Sequence, residues 1–161
     1  MVSYAFSLRR ADSLQLALMA HLRSIGATVV DKSKCMDSQA AGFDFLLDGE
    51  PAEFKYDTRM SVTGNMAVEI VSNIGRGKPG WFITSQARWL FYLDTCLCTC
   101  YKIDLQALRH ALDVDSRNKY SAAKARTENK YSTLSWLVEI GFARATGCIV
   151  GEYSFDCGEA K

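Results

Sequence analysis

The sequence predicts an α/β domain in which a mixed central β-sheet is flanked by helices, a single domain over residues 1–161. Apolar residues recur at helical spacing near the N-terminus and again in the last third, with strand-like alternation between them. No linker, internal repeat or low-complexity tract interrupts the chain. In the middle, Asp48-Gly49-Glu50-Pro51 has the chemistry of a tight turn between two short strands.

The elements follow in order. Residues 13–25 predict an amphipathic helix with Leu14, Leu18, Leu22 and Ile25 on one stripe, Asp12 or Ser13 as N-cap and Gly26 as terminator. A short strand over 27–30 leads to a polar loop over 31–41. Strands over 43–47 and 52–57 form a hairpin about the Asp48-Gly49 turn. After a polar loop over 58–65, residues 66–72 predict a third strand of the same sheet, and 73–80 a glycine-rich basic loop. Short elements follow: a strand over 81–84, a helix over 85–89, and strands over 90–93 and 96–103. Asp104 is placed to cap a helix running to Leu112. Residues 113–132 are polar and carry Arg117, Lys119, Lys124, Arg126 and Lys130; helical neighbours surround them. Residues 133–143 have helical apolar spacing, and 151–161 read as a frayed tail.

Composition narrows the function classes. Hydrophobic residues make up 48% and charged residues 23%, enough for a real core. A net charge of +1 excludes a broadly basic surface, so nucleic acid would be met by a local patch. No run approaches the roughly 20 apolar residues of a membrane helix. Arginines follow the short apolar N-terminal stretch, the reverse of a secretory signal, which points to the cytoplasm. The six cysteines, Cys35, Cys96, Cys98, Cys100, Cys148 and Cys157, are therefore expected as thiols.

Chemistry concentrates in residues 42–57, GFDFLLDGEPAEFKYD. Strand alternation puts Glu53, Lys55 and Asp57 on one face and the apolar Ala52, Phe54 and Tyr56 on the other. The turn folds Asp44 back towards Glu53. Two carboxylates at close range repel when both are charged. A hard divalent cation relieves that repulsion, and a lysine on the same face can orient water or stabilise charge on phosphorus. Other readings stand beside this one. Glu53 and Lys55 could form an ion pair on a solvated strand face. Asp57 could assist a metal or simply end its strand.

This pattern, an aspartate followed across a hairpin by Glu-x-Lys, resembles the PD-(D/E)xK nuclease superfamily. There an Asp begins the second core strand, a Glu-x-Lys lies on the third, and a helix precedes both. The resemblance covers residues 13–94 and extends to GNMAVEIVSN and GWFITSQARWLFYLD, which are similar to small phage-borne members. It implies a restriction-endonuclease-like core and a DNA endonuclease dependent on Mg²⁺ or Mn²⁺. Asp44, Glu53 and the carbonyl of Phe54 would hold the metal, and Lys55 would assist catalysis. Glu69 interrupts the apolar run Met66, Ala67, Val68, Ile70, Val71; an acid there is more often surface-facing, but a neighbouring strand could bring it beside Glu53 as a third active-site carboxylate. Phe43 stands where the proline of the name would be, Gln15 where resolvase-like members carry glutamate, and Leu90 where a Gln-x-x-x-Tyr motif beginning at Gln86 would end. DNA is the implied partner, together with a second copy of the chain, a host protein if the chain is phage-encoded, and a host cytoplasmic setting. The alternative is a non-cleaving binding module on the same fold, for DNA or a protein.

The remaining groups carry less chemistry. Arg76 and Lys78, in the loop Gly75-Arg76-Gly77-Lys78-Pro79-Gly80, are candidates for phosphate contact, although a plain mobile loop has the same composition. Lys124, Arg126 and Lys130 are candidates for tracking a phosphate backbone, or for an ordinary solvated helix face. Cys96, Cys98 and Cys100 alternate as on one strand face. That spacing suits small buried hydrophobes better than zinc, although a cysteine-based metal or redox protein is a third functional reading. His21 and His110 lack spaced partners and are read as structural.

Overall fold

The computed structural model describes residues 4–115, 122–126 and 132–158. The elements are α1 (Tyr4–Ser24), β1 (Val29–Asp31), α2 (Met36–Ala41), β2 (Phe45–Leu47), β3 (Glu50–Asp57), α3 (Met60–Thr63), β4 (Asn65–Asn73), a 3-10 turn (Ile74–Arg76) and β5 (Lys78–Pro79). They continue with α4 (Trp81–Thr84), β6 (Trp89–Asp94), β7 (Thr99–Asp104), α5 (Leu105–Asp115), β8 (Ala122–Arg126), β9 (Ser132–Glu139), α6 (Ile140–Ala145) and β10 (Ile149–Ser154).

The main sheet has six strands in the order β1-β2-β3-β6-β7-β10. β3 and β6 run parallel, and every other pair is antiparallel. A mixed sheet flanked by helices is thus the observed class. The hairpin turns on Asp48 and Gly49, both at positive φ, and its register sets Leu47 opposite Glu50 and Phe45 opposite Ala52. Asp-Gly is the pair that tolerates this backbone best.

Each face of the sheet buries a separate core. On one, Leu14, Leu18, Met19 and Leu22 of α1 pack on Phe45, Ala52, Phe54, Phe91 and Leu93. On the other, Leu90, Tyr92 and Ile103 meet Leu105, Leu108 and Leu112 of α5, together with Met66, Val68 and Val138. The last three come from a second sheet of four strands, ordered β5-β4-β9-β8 and antiparallel throughout. The result is three layers.

Several expectations are corrected. β4 is not a third strand of the main sheet. It pairs with β9 from Asn65 opposite Glu139 to Val71 opposite Leu134. Residues 132–139 are therefore strand rather than helix, because Leu134, Trp136 and Val138 also satisfy a period of two. Lys124 and Arg126 lie on a strand, β8, not on a helix, while Arg117, Lys119 and Lys130 lie outside the described residues. Residues 81–84 are a helical turn, with the N–H groups of Ile83 and Thr84 donating to the Gly80 carbonyl, and 85–88 are irregular. α1 begins well before residue 12: Ser13 bonds back to the Arg9 carbonyl within the helix instead of capping it. Residues 36–41 form a short helix in the expected loop, and residues 149–154 form an edge strand on β7 rather than a frayed tail. Asp104 caps α5 as expected, accepting from the N–H groups of Gln106 and Ala107.

The cysteine alternation also breaks. Asp94 accepts the N–H groups of Cys96 and Leu97, which closes a turn over 95–98 and ends β6. Cys98 takes a positive φ there and is disulfide-bonded to Cys157, contrary to the expectation of free thiols. Cys35, Cys96, Cys100 and Cys148 are free. Among the described residues no helix is long and apolar enough to cross a membrane.

Candidate active site

The hairpin places Asp44 one residue before β2, where its backbone is held on both sides. Its N–H donates to the Ala52 carbonyl at 2.8 Å, and its carbonyl accepts the N–H of Lys32 at 2.9 Å. The side chain then reaches across the hairpin, and Oδ2 accepts the N–H of Phe54 at 2.8 Å. A carboxylate has about four lone-pair positions, so this bond leaves acceptor capacity.

Glu53 and Lys55 lie on the face of β3 opposite Ala52 and Phe54. Glu53 is only 5% exposed. Burial pushes its carboxyl up to about 7; Lys55 pulls against that shift, and the charge of nearby Asp44 adds to it. The Lys55 ammonium donates to Glu53 Oε1, and to the Phe54 carbonyl at 3.1 Å. It also lies 5.4 Å from the centre of the Trp81 ring, within cation–π range. Asp44, Glu53 and Lys55 are thus brought to one place.

Glu69 arrives from the second sheet. It accepts the backbone N–H of Trp81. Burial raises its carboxyl, while this bond and the charges of Lys55 and Lys78 oppose the rise. β4 and α4 touch here because residue 80 is glycine. A Cβ at Gly80 would come within 2.2 Å of the Glu69 carbonyl oxygen, far inside any real contact. A bulge between Glu69 and Val71 interrupts the β4–β9 register at this point. The Lys55 ammonium therefore acts on two carboxylates from different sheets, bonded to Glu53 beside it and within electrostatic reach of Glu69 on β4.

Asp57 ends β3 instead of joining this group. Its Oδ1 accepts the N–H of Arg59 at 2.7 Å, and its Oδ2 accepts the Tyr92 hydroxyl at 3.3 Å. That hydroxyl also receives the Ala67 N–H at 3.0 Å, tying the two sheets together. Lys78 pairs with Asn73 in β5 within electrostatic reach of Glu69, and Arg76 is exposed on the adjoining 3-10 turn. Sequence reasoning missed Trp81 and Tyr92. The Gly80-Trp81 pair was visible, but nothing local tied that ring to Lys55.

Among the described residues, no three His, Cys, Asp or Glu side chains group to hold a metal ion. The oxygen donors nearest one another are the carboxylates of Glu53 and Asp44, which interact electrostatically, and the Phe54 carbonyl, which shares the Lys55 ammonium with Glu53. This all-oxygen set suits a hard divalent cation, which keeps waters in its remaining positions. Lys55 already sets a positive charge on two of those oxygens, Glu53 Oε1 and Phe54 O. No protein-family model matches the chain, and comparison with curated proteins and with solved structures returns no match.

Proposed function

We propose that the protein is a divalent-metal-dependent endonuclease of the PD-(D/E)xK type, hydrolysing phosphodiester bonds in DNA. One observation carries the reading: Asp44, Glu53 and Lys55 are neighbours on one hairpin, with Glu53 desolvated and Lys55 on its carboxylate. Topology supports it. A helix precedes three antiparallel strands, Asp44 stands at the start of the second, and Glu53-x-Lys55 lies on the third. The parallel partner β6 follows after α4, an arrangement consistent with a restriction-endonuclease-like core.

In this reading Asp44, Glu53 and the Phe54 carbonyl hold Mg²⁺ or Mn²⁺. When bound, such an ion polarises phosphoryl oxygen and lowers the pKa of its water. The chain's own residues do the rest. Asp44 keeps its orientation through Phe54, so its position does not depend on the ion. Lys55 shifts from Glu53 to the scissile phosphate, where its ammonium neutralises charge developing on the non-bridging oxygens. Glu69 and the Trp81 ring limit where Lys55 can go. Lys78 and Arg76 offer charge to flanking phosphates.

Cleavage of supercoiled, linear, branched and single-stranded DNA with Mg²⁺ or Mn²⁺ tests this. Glu53→Ala should lose cleavage of whichever form is cut while keeping its thermal transition. Undiminished cleavage by that variant removes the proposal. A second reading, a binding module that does not cut, draws on Lys55 already occupying two of the oxygens proposed for the metal, Glu53 Oε1 and the Phe54 carbonyl. The same panel decides between them, since that reading expects DNA to be bound and left intact under every metal.

A further inference from the structure

Beside the carboxylate cluster, Phe82, Ile83, Arg109 and Trp136 line a hollow of about 260 Å³. It shares α4 with the site: Trp81 faces Lys55, and the next residue, Phe82, lines the hollow. Phe82 is buried and forms its floor, with its ring edge-on to Trp81 at 5.9 Å. Ile83, 54% exposed, forms a lip, and the half-buried Trp136 of β9 forms a wall. Arg109 is fixed by bonds to the carbonyls of Phe82 at 2.7 Å and Ser85 at 2.8 Å, with its guanidinium 5.7 Å from the Phe82 ring centre.

A solvent-facing hollow with a tryptophan wall, an aliphatic lip and a held guanidinium suits a flat, polarisable, electron-rich ring. Its volume is below the roughly 300 Å³ at which sites for drug-sized ligands begin, so it suits one ring system. The neighbouring strand gives the polarity of the larger ligand. The β8–β9 register sets Lys124 opposite Leu134 and Arg126 opposite Ser132, two and four positions along β9 from Trp136. Two basic register positions on the strand paired with the one that carries Trp136 are consistent with a ligand that combines a phosphate backbone with stacking bases.

We propose that this hollow takes one unstacked nucleobase of the strand presented to the active site. The inference rests on the nuclease reading and sharpens it: the substrate is DNA with at least one base out of the stack, single-stranded or locally unpaired. A fully paired duplex keeps its bases stacked and cannot fill the hollow without the cost of extruding one.

The test is binding, measured in chelator so that it does not depend on cleavage. Fluorescent short oligo(dT) is compared with an oligomer of the same length in which abasic spacers keep every phosphate. Oligo(dT) should bind roughly tenfold more tightly. Trp136→Ala should erase that preference, and Trp136→Phe, which keeps a ring, should retain most of it. Equal binding of the two oligomers by the native chain overturns the inference, as does failure to bind either. So does a blunt duplex that binds as well as oligo(dT), or a preference that survives Trp136→Ala. A chain that prefers bases over spacers yet cuts nothing keeps this inference and loses the nuclease reading.

Discussion

The carboxylate of Asp44 and the backbone N–H of Phe54 are joined at 2.8 Å across the hairpin. The same aspartate that would hold a metal also fastens the strand carrying the other ligands. Fastening and charge are separable by mutation. Asp44→Asn keeps an oxygen to accept the Phe54 N–H and loses only the charge. Asp44→Ala leaves that N–H without its partner, at a cost of about 1–3 kcal/mol. Urea denaturation should therefore place Asn close to the native protein and Ala below it, while both lose at least about 100-fold in metal-dependent cleavage. An Asn variant as unstable as Ala would show that the bond does not clamp the hairpin.

Glu53 makes stability depend on pH in an unusual direction for a carboxylate. Its folded-state value is about 7 against an ordinary 4.5. Below pH 4.5 both states hold the proton. Between those two values the unfolded chain gives it up and the folded chain keeps it, so stability falls as pH rises, and the loss is complete above 7. At 1.36 kcal/mol per unit the full loss is about 3 kcal/mol. Glu53→Gln should flatten this limb, with the native and variant curves diverging between pH 4.5 and 7. Parallel curves over that window would refute the desolvation of Glu53.

Gly80→Ala separates steric contact from backbone freedom. The φ of −83° at Gly80 is open to any residue, but the added Cβ would meet the Glu69 carbonyl oxygen at 2.2 Å. α4 must move off β4 or the fold must absorb about 3 kcal/mol or more. Thermal melting should register the cost. The shift of Trp81 away from Lys55 should lower cleavage even in molecules that remain folded. A native melting temperature and native activity together would contradict the contact.

The Cys98–Cys157 disulfide closes a separation of 59 residues and ties the chain beyond β10 to the β6–β7 turn. Cys157→Ser, or reduction by dithiothreitol, should lower stability by about 2–4 kcal/mol. Cleavage at low temperature should be unchanged, since neither cysteine touches the site. Equal melting temperatures under reducing and non-reducing conditions would show that the bridge does not form in solution.

Much of the site was legible because it is local. Asp44, Glu53 and Lys55 lie within one hairpin whose Asp-Gly turn sets the register, so strand alternation alone brings them together. Glu69 was legible as an acid out of place in an apolar strand, but its sheet was not. Membership is decided by pairing with residues 134–139, which were themselves misread because Leu134, Trp136 and Val138 satisfy both periods over a short run. Trp81 was read as strand for a similar reason: an aromatic beside Phe82 and Ile83 has strand propensity, and the segment is helical because the Gly80 carbonyl accepts from Ile83 and Thr84 and the Trp81 carbonyl accepts from Ser85. The cysteine run failed where a side chain intervened, since Asp94 ends β6 before the alternation can continue.

β3 is bordered by β2 and β6 and has no free edge. A slip of one position in either pairing would turn Glu53 and Lys55 into the layer of Leu18, Phe45 and Phe91, and would lift Phe54 out of it. Misaligned chains would thus bury two ionic groups in hydrocarbon, so the groups assigned to chemistry also act as a proofreading device during folding.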